Sequence, residues 1–193
     1  MKNLPFLLVL VAFTFTSCGC HYYGFKSGLN VSSINGDDTG DTQPRLGFFG
    51  GGFAELCIDD YTSVQPEVLY SQQGVKYSDR NGYDGIIKLD YIDVPVMVKF
   101  KATKDFIIEA GPQVGFLLSA KDKYESPNNS GINDIKDDMK NIDFGANFGL
   151  NYDLQNGWLF GARYNLGLAD INKNSGVNNK NGVFQFSVVF KFQ

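Results

Sequence analysis

The last ten residues of the chain alternate between apolar and polar side chains. The even positions from 184 to 192 hold four Phe and one Val, whereas the odd positions from 183 to 191 include Gln, Ser and Lys. A period of two predicts a β-strand with one apolar face and one mostly polar face. A single strand of this kind suits a soluble sheet as well as a membrane sheet, so the pattern of the other strands decides between them.

The same alternation recurs in seven further stretches of the chain. We therefore predict strands at residues 22–34, 46–58, 62–73, 89–101, 106–120, 141–154, 158–168 and 183–192. Most of these strands reach the roughly 9–11 residues that a tilted strand needs to cross a bilayer. The chain is also rich in Tyr, Phe and Gly, with 10, 17 and 22 residues, which favours strands over helices.

The connections between the predicted strands alternate in length. The second, fourth and sixth connections are short, whereas the first, third, fifth and seventh are long and polar, at about 35–44, 74–87, 121–140 and 169–181. An outer-membrane barrel has this arrangement, with short turns on the periplasmic side and longer loops outside. The sequence therefore predicts an all-β fold, an eight-stranded antiparallel up-and-down transmembrane β-barrel of the OmpA/OmpX kind.

A barrel of eight strands encloses an interior that is only wide enough for side chains. Charges in such an interior require partners and hydrogen bonds, because desolvation is costly. We predict a polar network in the lumen that is formed by Lys26, Glu55, Glu67, Asp93, Lys99, Glu109, Asp143, Arg163 and Lys191. Two alternatives stay open: a narrow channel for small solutes that these charges line, and a secreted soluble barrel whose Phe and Val rows face inward around an apolar ligand.

The opposite faces of the strands are expected to contact lipid. The closing strand inserts into the membrane through Phe184, Phe186, Phe190 and Phe192. We expect aromatic belts near the turn end, from Tyr22, Tyr23, Phe100, Phe106, Trp158 and Phe192, and near the loop end, from Tyr70, Phe116, Phe144 and Phe184. Three prolines inside predicted strands each remove a donor from the ladder. Bulges or water-exposed positions would accommodate Pro66, Pro95 and Pro112.

The first twenty residues have the features of an export signal. Lys2 precedes an apolar run over 4–15, and small residues follow at 17–20. We therefore divide the chain into a signal peptide, 1–20, and a barrel domain, 21–193, which locates the protein in the outer membrane of a Gram-negative cell. Residues 15–18 also resemble a lipoprotein processing box, which makes Cys18 a candidate for lipidation; palmitate labelling of the mature protein tests this. Cys57 is then expected to have no disulfide partner.

The sequence offers little for catalysis or metal binding. The only histidine, His21, lies at the processed end, so no catalytic triad can be built on the barrel. No zinc-ligand spacing occurs, and the loop carboxylates lack the regular spacing of a calcium site. The net charge of −4, without a basic stripe, argues against nucleic acid as a partner. We therefore expect no enzyme activity, no cofactor and no metal.

Four segments carry a resemblance to a known family: 63–74 (SVQPEVLYSQQG), 91–96 (YIDVPV), 110–115 (AGPQVG) and 161–168 (GARYNLGL). Together they resemble the PorT-type, porin-like outer-membrane β-barrel family that is common in Bacteroidetes. The resemblance implies a small barrel like the OmpA membrane domain and prolines that are habitual in the family. Most members have no assigned activity. One relative is linked to a protein-secretion system, but no residue motif for that role is visible in this chain.

The alternating strands, the alternating loop lengths and this resemblance together predict a function. The chain is expected to be a non-enzymatic, integral outer-membrane barrel with a polar, salt-bridged interior and with loops that act outside the cell. The expected partners are outer-membrane lipid, the barrel-assembly machinery and other envelope or secretion proteins, and nucleic acid is not among them.

Overall fold

Eight long antiparallel strands and one short strand make up the fold. A computed structural model describes residues 21–36, 42–78, 84–126, 129–173 and 178–193. The predicted export signal and Cys18 lie outside the described residues. The strands are β1 (His21–Gly36), β2 (Thr42–Cys57), β3 (Thr62–Ser78), β4 (Asp84–Lys101), β5 (Phe106–Ser126), β6 (Asn129–Asp134), β7 (Ile142–Asp153), β8 (Trp158–Gly167) and β9 (Asn179–Phe192), with a 3₁₀ turn at Lys136–Asp138.

The eight long strands close into a ring. Each pairs with its neighbours along the chain, with β5 pairing β7, and β9 returns to pair with β1. The closing seam runs without interruption from Tyr23 opposite Phe192 to Gly36 opposite Asn179. Closure provides hydrogen-bond partners for the backbone within the bilayer, where water cannot do so. The prediction of an eight-stranded up-and-down barrel is confirmed.

The two faces of the wall have the predicted orientation. Outward side chains are strongly exposed, for example Phe25 at 66% and Leu46 at 70%, whereas the inward Glu67 and Arg163 are only 1% and 4% exposed. Exposed apolar rows on this scale indicate a surface that is covered by lipid. The alternative of a soluble barrel around an apolar ligand required these rows to face inward, and it is wrong.

The strands continue beyond the predicted ends on the loop side of the barrel. β3 extends to residue 78, β4 already begins at residue 84, and β5 extends to residue 126. β6 pairs with the end of β5 inside the predicted loop at 121–140. These segments are rich in Lys, Asp and Tyr, which sequence patterns assign to loops. They remain in the sheet because the ladder satisfies their backbone while their polar side chains stay in water.

The described part of the chain has no helix that is long and apolar enough to cross a membrane.

Each of the three strand prolines lies at a gap in one ladder. The paired positions of β2 and β3 skip the step at Pro66, those of β3 and β4 skip Pro95, and those of β4 and β5 skip Pro112. On its other side, each proline stays in register with a neighbouring strand. The ring therefore accommodates a missing donor by opening one ladder over two residues, without the shift of register that a bulge would produce.

A wider opening separates β2 from β3 nearer the loops. Pairing stops after Pro44 opposite Val75 and resumes at Phe49 opposite Ser71, with a shift of register. Side chains from the lumen bind the freed carbonyl groups: Asn30 donates to the oxygen of Gln72, Arg45 to that of Gln73, and Ser32 to that of Gly74. The opening is thus satisfied from inside the barrel.

Cys57, at the end of β2, is disulfide-bonded, and its partner lies outside the described residues. The expectation that Cys57 has no disulfide partner is therefore wrong. That expectation arose because the other two cysteines were assigned to a processed N-terminal segment.

Replacing Gly28 by Ala is expected to weaken the seam that closes the barrel. A β-carbon at this position would lie 1.9 Å from the backbone oxygen of Phe186 on β9, so the two strands must separate. We expect the free energy of unfolding from lipid vesicles to fall by about 1–3 kcal/mol, the usual cost of overpacking. Guanidinium titration monitored by heat-modifiable gel mobility measures this change.

Gly52→Ala is the matched control, because its nearest neighbour outside the adjacent residues would lie at an ordinary 3.6 Å. Equal stabilities of the two variants would contradict the close approach at the seam.

Candidate functional site

Four charged side chains meet across the middle of the lumen. Lys26 on β1, Glu67 on β3, Glu109 on β5 and Arg163 on β8 are each at most 4% exposed. The guanidinium of Arg163 binds Glu67 through two bonds of 2.7 and 3.0 Å and reaches Oε1 of Glu109 at 2.7 Å. The Nζ atom of Lys26 lies 3.3 Å from Glu67 and 3.8 Å from Glu109. We refer to these four residues as the central quartet.

The central quartet has two positive and two negative charges, so it is neutral as a unit. The fork of Arg163 matches the geometry of a carboxylate, which makes this contact stronger than a point-charge pair. Gly149 provides space beside the quartet, because a β-carbon there would lie 2.8 Å from Oε1 of Glu109. Period-two alternation brings these distant residues together because it directs each of them to the same side of the wall.

A chain of hydrogen bonds extends from the quartet toward the turn end of the barrel. Gln65 donates to Glu67 at 2.7 Å and accepts from Lys99 at 2.8 Å. Lys99 also pairs with Glu55 at 3.2 Å, and Ser63 donates to the same carboxylate. The polar network thereby crosses from one wall to the other along much of the lumen.

A separate ion pair lies at the rim of the turn end. Lys191 binds Asp153 at 2.6 Å and lies 5.5 Å from the ring centre of Tyr22. Asp153 was missed in the sequence because it stands next to a hairpin turn, where a carboxylate usually faces solvent. Tyr22 was expected in the aromatic belt near the turn end, on the lipid-facing surface. It instead occupies the inward row of β1, because Tyr23 and Phe25 face outward.

Two predicted members of the network stand apart from the cations. Asp93 accepts a hydrogen bond from Gln73 at 3.0 Å, and Asp143 accepts one from Asn181 at 2.8 Å. Neither carboxylate forms an ion pair among the residues that the structure describes, and one oxygen of Asp143 has no hydrogen-bond partner there. The period-two pattern predicted that Asp93 and Asp143 face the lumen, but it could not show that the cations of the lumen lie nearer the turn end.

Amides and hydroxyls fill the lumen on the loop side of the quartet. Asn165 donates to Asn147, which donates to Gln113, and Gln185 donates to Asn30, which donates to Ser71. Neutral groups of this kind satisfy one another without the desolvation cost of a charge.

An apolar cluster closes the loop end of the lumen, and the sequence analysis missed it. Its buried members are Ile34, Val75, Leu89, Tyr91, Leu117, Ala120, Met139 and Ile171. Met139 and Ile171 come from the last two loops, which cover the mouth of the barrel. The presence of large apolar residues within these polar loops could have predicted the cluster, because such side chains are usually buried.

The two covering loops, which we call the lid, are joined to each other by hydrogen bonds. Met139 pairs with Asn172, the backbone N–H of Lys140 donates to the oxygen of Ile171, and that of Lys173 donates to Asp138. The carboxylate of Asp170 accepts bonds from the N–H groups of Asn172 and Asn179 and from Lys140 Nζ at 3.0 Å. These donors hold the pKa of Asp170 below its usual value.

The outer surface carries aromatic pairs near both ends of the wall. Trp158 and Phe190 lie 4.8 Å apart and Phe106 and Tyr152 5.1 Å apart toward the turns. Tyr164 and Phe184 lie 4.5 Å apart toward the loops. The predicted insertion strand directs Phe184, Phe186, Phe190 and Phe192 outward. In the described part of the chain, no group of three or more His, Cys, Asp or Glu residues is placed to hold a metal ion.

Replacing Arg163 by Met is expected to lower the free energy of unfolding by about 3–5 kcal/mol. The substitution leaves Glu67 and Glu109 buried with Lys26 as their shared cation, and an uncompensated buried charge is costly. Guanidinium titration in lipid vesicles measures the change.

Lys140→Met is the matched control, because its pair with Asp170 is exposed and contributes at most about 1 kcal/mol. Adding Glu109→Gln to Arg163→Met should restore part of the loss. A cost of Arg163→Met no larger than that of the control would show that the quartet is not a coupled unit.

Acidification is expected to loosen the lid through Asp170. A carboxylate whose pKa is lowered by folding contributes stability above its unfolded pKa, and this stability is lost as the pH falls through the folded value. The protection factors of the Ile171 and Lys140 amides, which correct for the intrinsic pH dependence of exchange, should therefore fall below about pH 4, and Asp170→Asn should produce the same fall at pH 7. Exchange at β9 within the closing seam is the internal reference and should stay slow in both cases. Unchanged exchange in the variant would contradict this role of Asp170.

Comparison with known proteins agrees with this geometry. The structure of Ail, the attachment invasion locus protein of Yersinia pestis, matches with a TM-score of 0.56 at 14% identity, over 89% of this chain and 98% of that one. Neisserial surface protein A matches with a TM-score of 0.56 at 16% identity, over 89% and 97%. No curated protein sequence matches the chain. The model of the outer membrane protein beta-barrel domain matches residues 21–173. The chain therefore belongs to the outer membrane protein β-barrel domain family.

Proposed function

We propose that the chain is a non-enzymatic outer-membrane barrel whose lumen is sealed and whose loop end provides the surface for interactions. The central quartet and its hydrogen-bonded extension serve to hold the wall together from inside. The lid serves as a cover over the outer mouth. The function then resides on the outer surface and on the loops, and no transport through the lumen takes place.

Two independent barriers across the lumen support this proposal. At the centre, cations and carboxylates from four strands lie within 2.7–3.8 Å of one another, which leaves no space for a solute between them. At the loop end, Met139 and Ile171 pack against apolar residues of the wall. A conducting pore would need a continuous wet path, and both barriers interrupt it.

The absence of a catalytic role is part of the same proposal. The only histidine, His21, is the first residue of β1 and pairs with Leu56 at the turn end, far from the loop surface. Hydrolases with a serine or cysteine nucleophile commonly use a histidine base beside that nucleophile, and His21 is not in a position to act as such a base at the loop surface.

We further propose a place for the chain within its family, a route of export and a set of protein contacts. Within its family, the chain groups with the PorT-type members of Bacteroidetes, on the strength of its four sequence segments. Residues 1–20 serve as an export signal. N-terminal sequencing of the protein from outer-membrane fractions tests this and shows whether cleavage keeps or removes Cys18 and Cys20, the two cysteines with which Cys57 can pair. The assembly machinery of the outer membrane inserts the barrel, and other envelope or secretion proteins contact its loops; crosslinking from loop positions in intact cells tests the second contact.

The purified full chain is expected to show no steady conductance in a planar bilayer. The reason is that the central quartet blocks the lumen even when the lid moves. Met139→Ser combined with Ile171→Ser should therefore also leave the membrane without steady current, although the lid is weakened.

Barrel insertion is checked in the same samples by heat-modifiable mobility, and a known general porin provides the positive control for current. Stable, repeatable open levels of the unmodified chain would reject the sealed barrel and support the narrow channel.

A further inference from the structure

Four lysines share the outer face of the sheet where it rises above the membrane. Lys76 lies on β3, Lys88 on β4, and Lys121 and Lys123 on β5. Their neighbours Val75, Leu89 and Ala120 are buried in the apolar cluster under the lid. Because side chains alternate along a strand, the lysines point away from the lumen. We call these four residues the lysine patch.

The register of the strands concentrates these charges in two adjacent rows. Lys88 stands directly opposite Lys121, and Ile86 stands between Lys76 and Lys123 in the next row. Like charges directly opposite each other on paired strands destabilise a sheet. Among the residues that the structure describes, none of the four lysines forms an ion pair. Within the described ranges, the four lysines therefore have no carboxylate at ion-pair distance.

The lysine patch begins where the lipid-facing surface ends. Ile92 on β4 and Phe116 on β5 form an outward pair in the apolar wall, and Leu118 is the last outward apolar residue of β5 below the patch. Lys121 follows three residues later, about 10 Å further along the strand. Strand tilt reduces this rise to about 7 Å along the membrane normal. That height corresponds to the headgroup layer of the bilayer.

Carboxylates occupy different positions on the same face. Asp84 and Glu125 face each other in the row beyond the patch, further from the membrane. Asp90 lies between the patch and the apolar wall and is close enough to Arg45 to interact with it electrostatically. Asp134 on β6 stands opposite Lys121 without forming an ion pair. The two lysine rows thus lie between the row of Asp90, on the membrane side, and an outermost row that is negative.

A groove on this face provides a place for a ligand group. It has a volume of about 360 Å³, and its lining includes Lys76, Ile86 and Lys123, with Asp84 and Glu125 at its outer edge. The groove lies in the rows beyond Lys88 and Lys121, above the membrane-facing wall of β4 and β5. The row of Lys88 and Lys121 lies between the groove and the apolar wall at Ile92 and Phe116.

We propose that the lysine patch binds the phosphate groups of an anionic lipid in the outer leaflet. The lysines supply point charges for phosphate at headgroup height, and the apolar wall below them supplies the surface for the acyl chains. The bound lipid relieves the repulsion between Lys88 and Lys121. The proposal depends on the placement of the barrel in the membrane and not on the sealed lumen, so the conductance experiment does not bear on it.

Lipid binding by the full chain in a non-ionic detergent tests the proposal. The probe is a bis-phosphorylated glycolipid, diphosphoryl lipid A, and native mass spectrometry measures the bound fraction. Lys88→Gln with Lys121→Gln is expected to weaken binding about 30-fold, because each basic side chain at an anionic surface contributes about fivefold. Lys76→Gln with Lys123→Gln should have a similar effect. The same lipid without its phosphates should bind no better to the unmodified chain than to the variants.

Lys101→Gln with Lys104→Gln is the matched control, because it removes the same charge from exposed positions at the turn end. This variant should bind as the unmodified chain does. Equal losses in patch and control variants would attribute binding to net charge and overturn the proposal, as would no loss in either patch variant.

Binding of a soluble polyanion shows whether the lysine patch recognises a membrane lipid or any phosphate compound. Inositol hexakisphosphate is titrated in detergent without lipid. It should bind much more weakly than the lipid, because it makes no contact with the apolar wall. Binding as tight as that of the lipid would identify a soluble polyanion as the partner and reject the lipid. Heat-modifiable mobility confirms in each case that the variant is a folded barrel.

Discussion

The structure depends on hydrogen-bond closure of the ring. In hydrocarbon, an unpaired backbone group has no water to bind, so β9 must return to β1. The uninterrupted seam at Gly28, where the strands approach too closely for a β-carbon, fulfils this requirement. Closure then determines the interior, because a ring of eight strands leaves space only for side chains. The central quartet is the result: charges that must be inside find one another across the lumen.

The interior and the exterior of the barrel solve the same electrostatic problem in opposite ways. Inside, Arg163 and Lys26 are neutralised by Glu67 and Glu109, so that the buried unit carries no net charge. Outside, Lys88 and Lys121 remain unneutralised among the described residues, at a height where the membrane itself can supply anions. Burial makes neutrality necessary in the lumen, whereas solvent and headgroups allow an uncompensated patch on the surface.

The sequence predicted the wall of the barrel better than it predicted the partners within it. Alternation with a period of two determined that Phe25 faces lipid and that Arg163 faces the lumen, because one face of each strand had to be apolar. It could not pair Arg163 with Glu67, which lies 96 positions away, because that contact depends on the stagger of strands around the whole ring. Met139 and Ile171 were missed because loops have no periodicity, and the pairing of Cys57 was missed because the other two cysteines were assigned to a processed N-terminal segment.

The proline gaps make the barrel wall mechanically unequal around its circumference. All three gaps lie between β2 and β5, whereas the ladders from β5 through β7, β8 and β9 to β1 run without a break. A cylinder with fewer cross-links on one side bends more readily on that side. On this more flexible side, β3, β4 and β5 also continue beyond their predicted ends on the loop side. A force on these strand ends from outside the cell will therefore deform the wall between β2 and β5 and leave the closing seam between β1 and β9 unchanged.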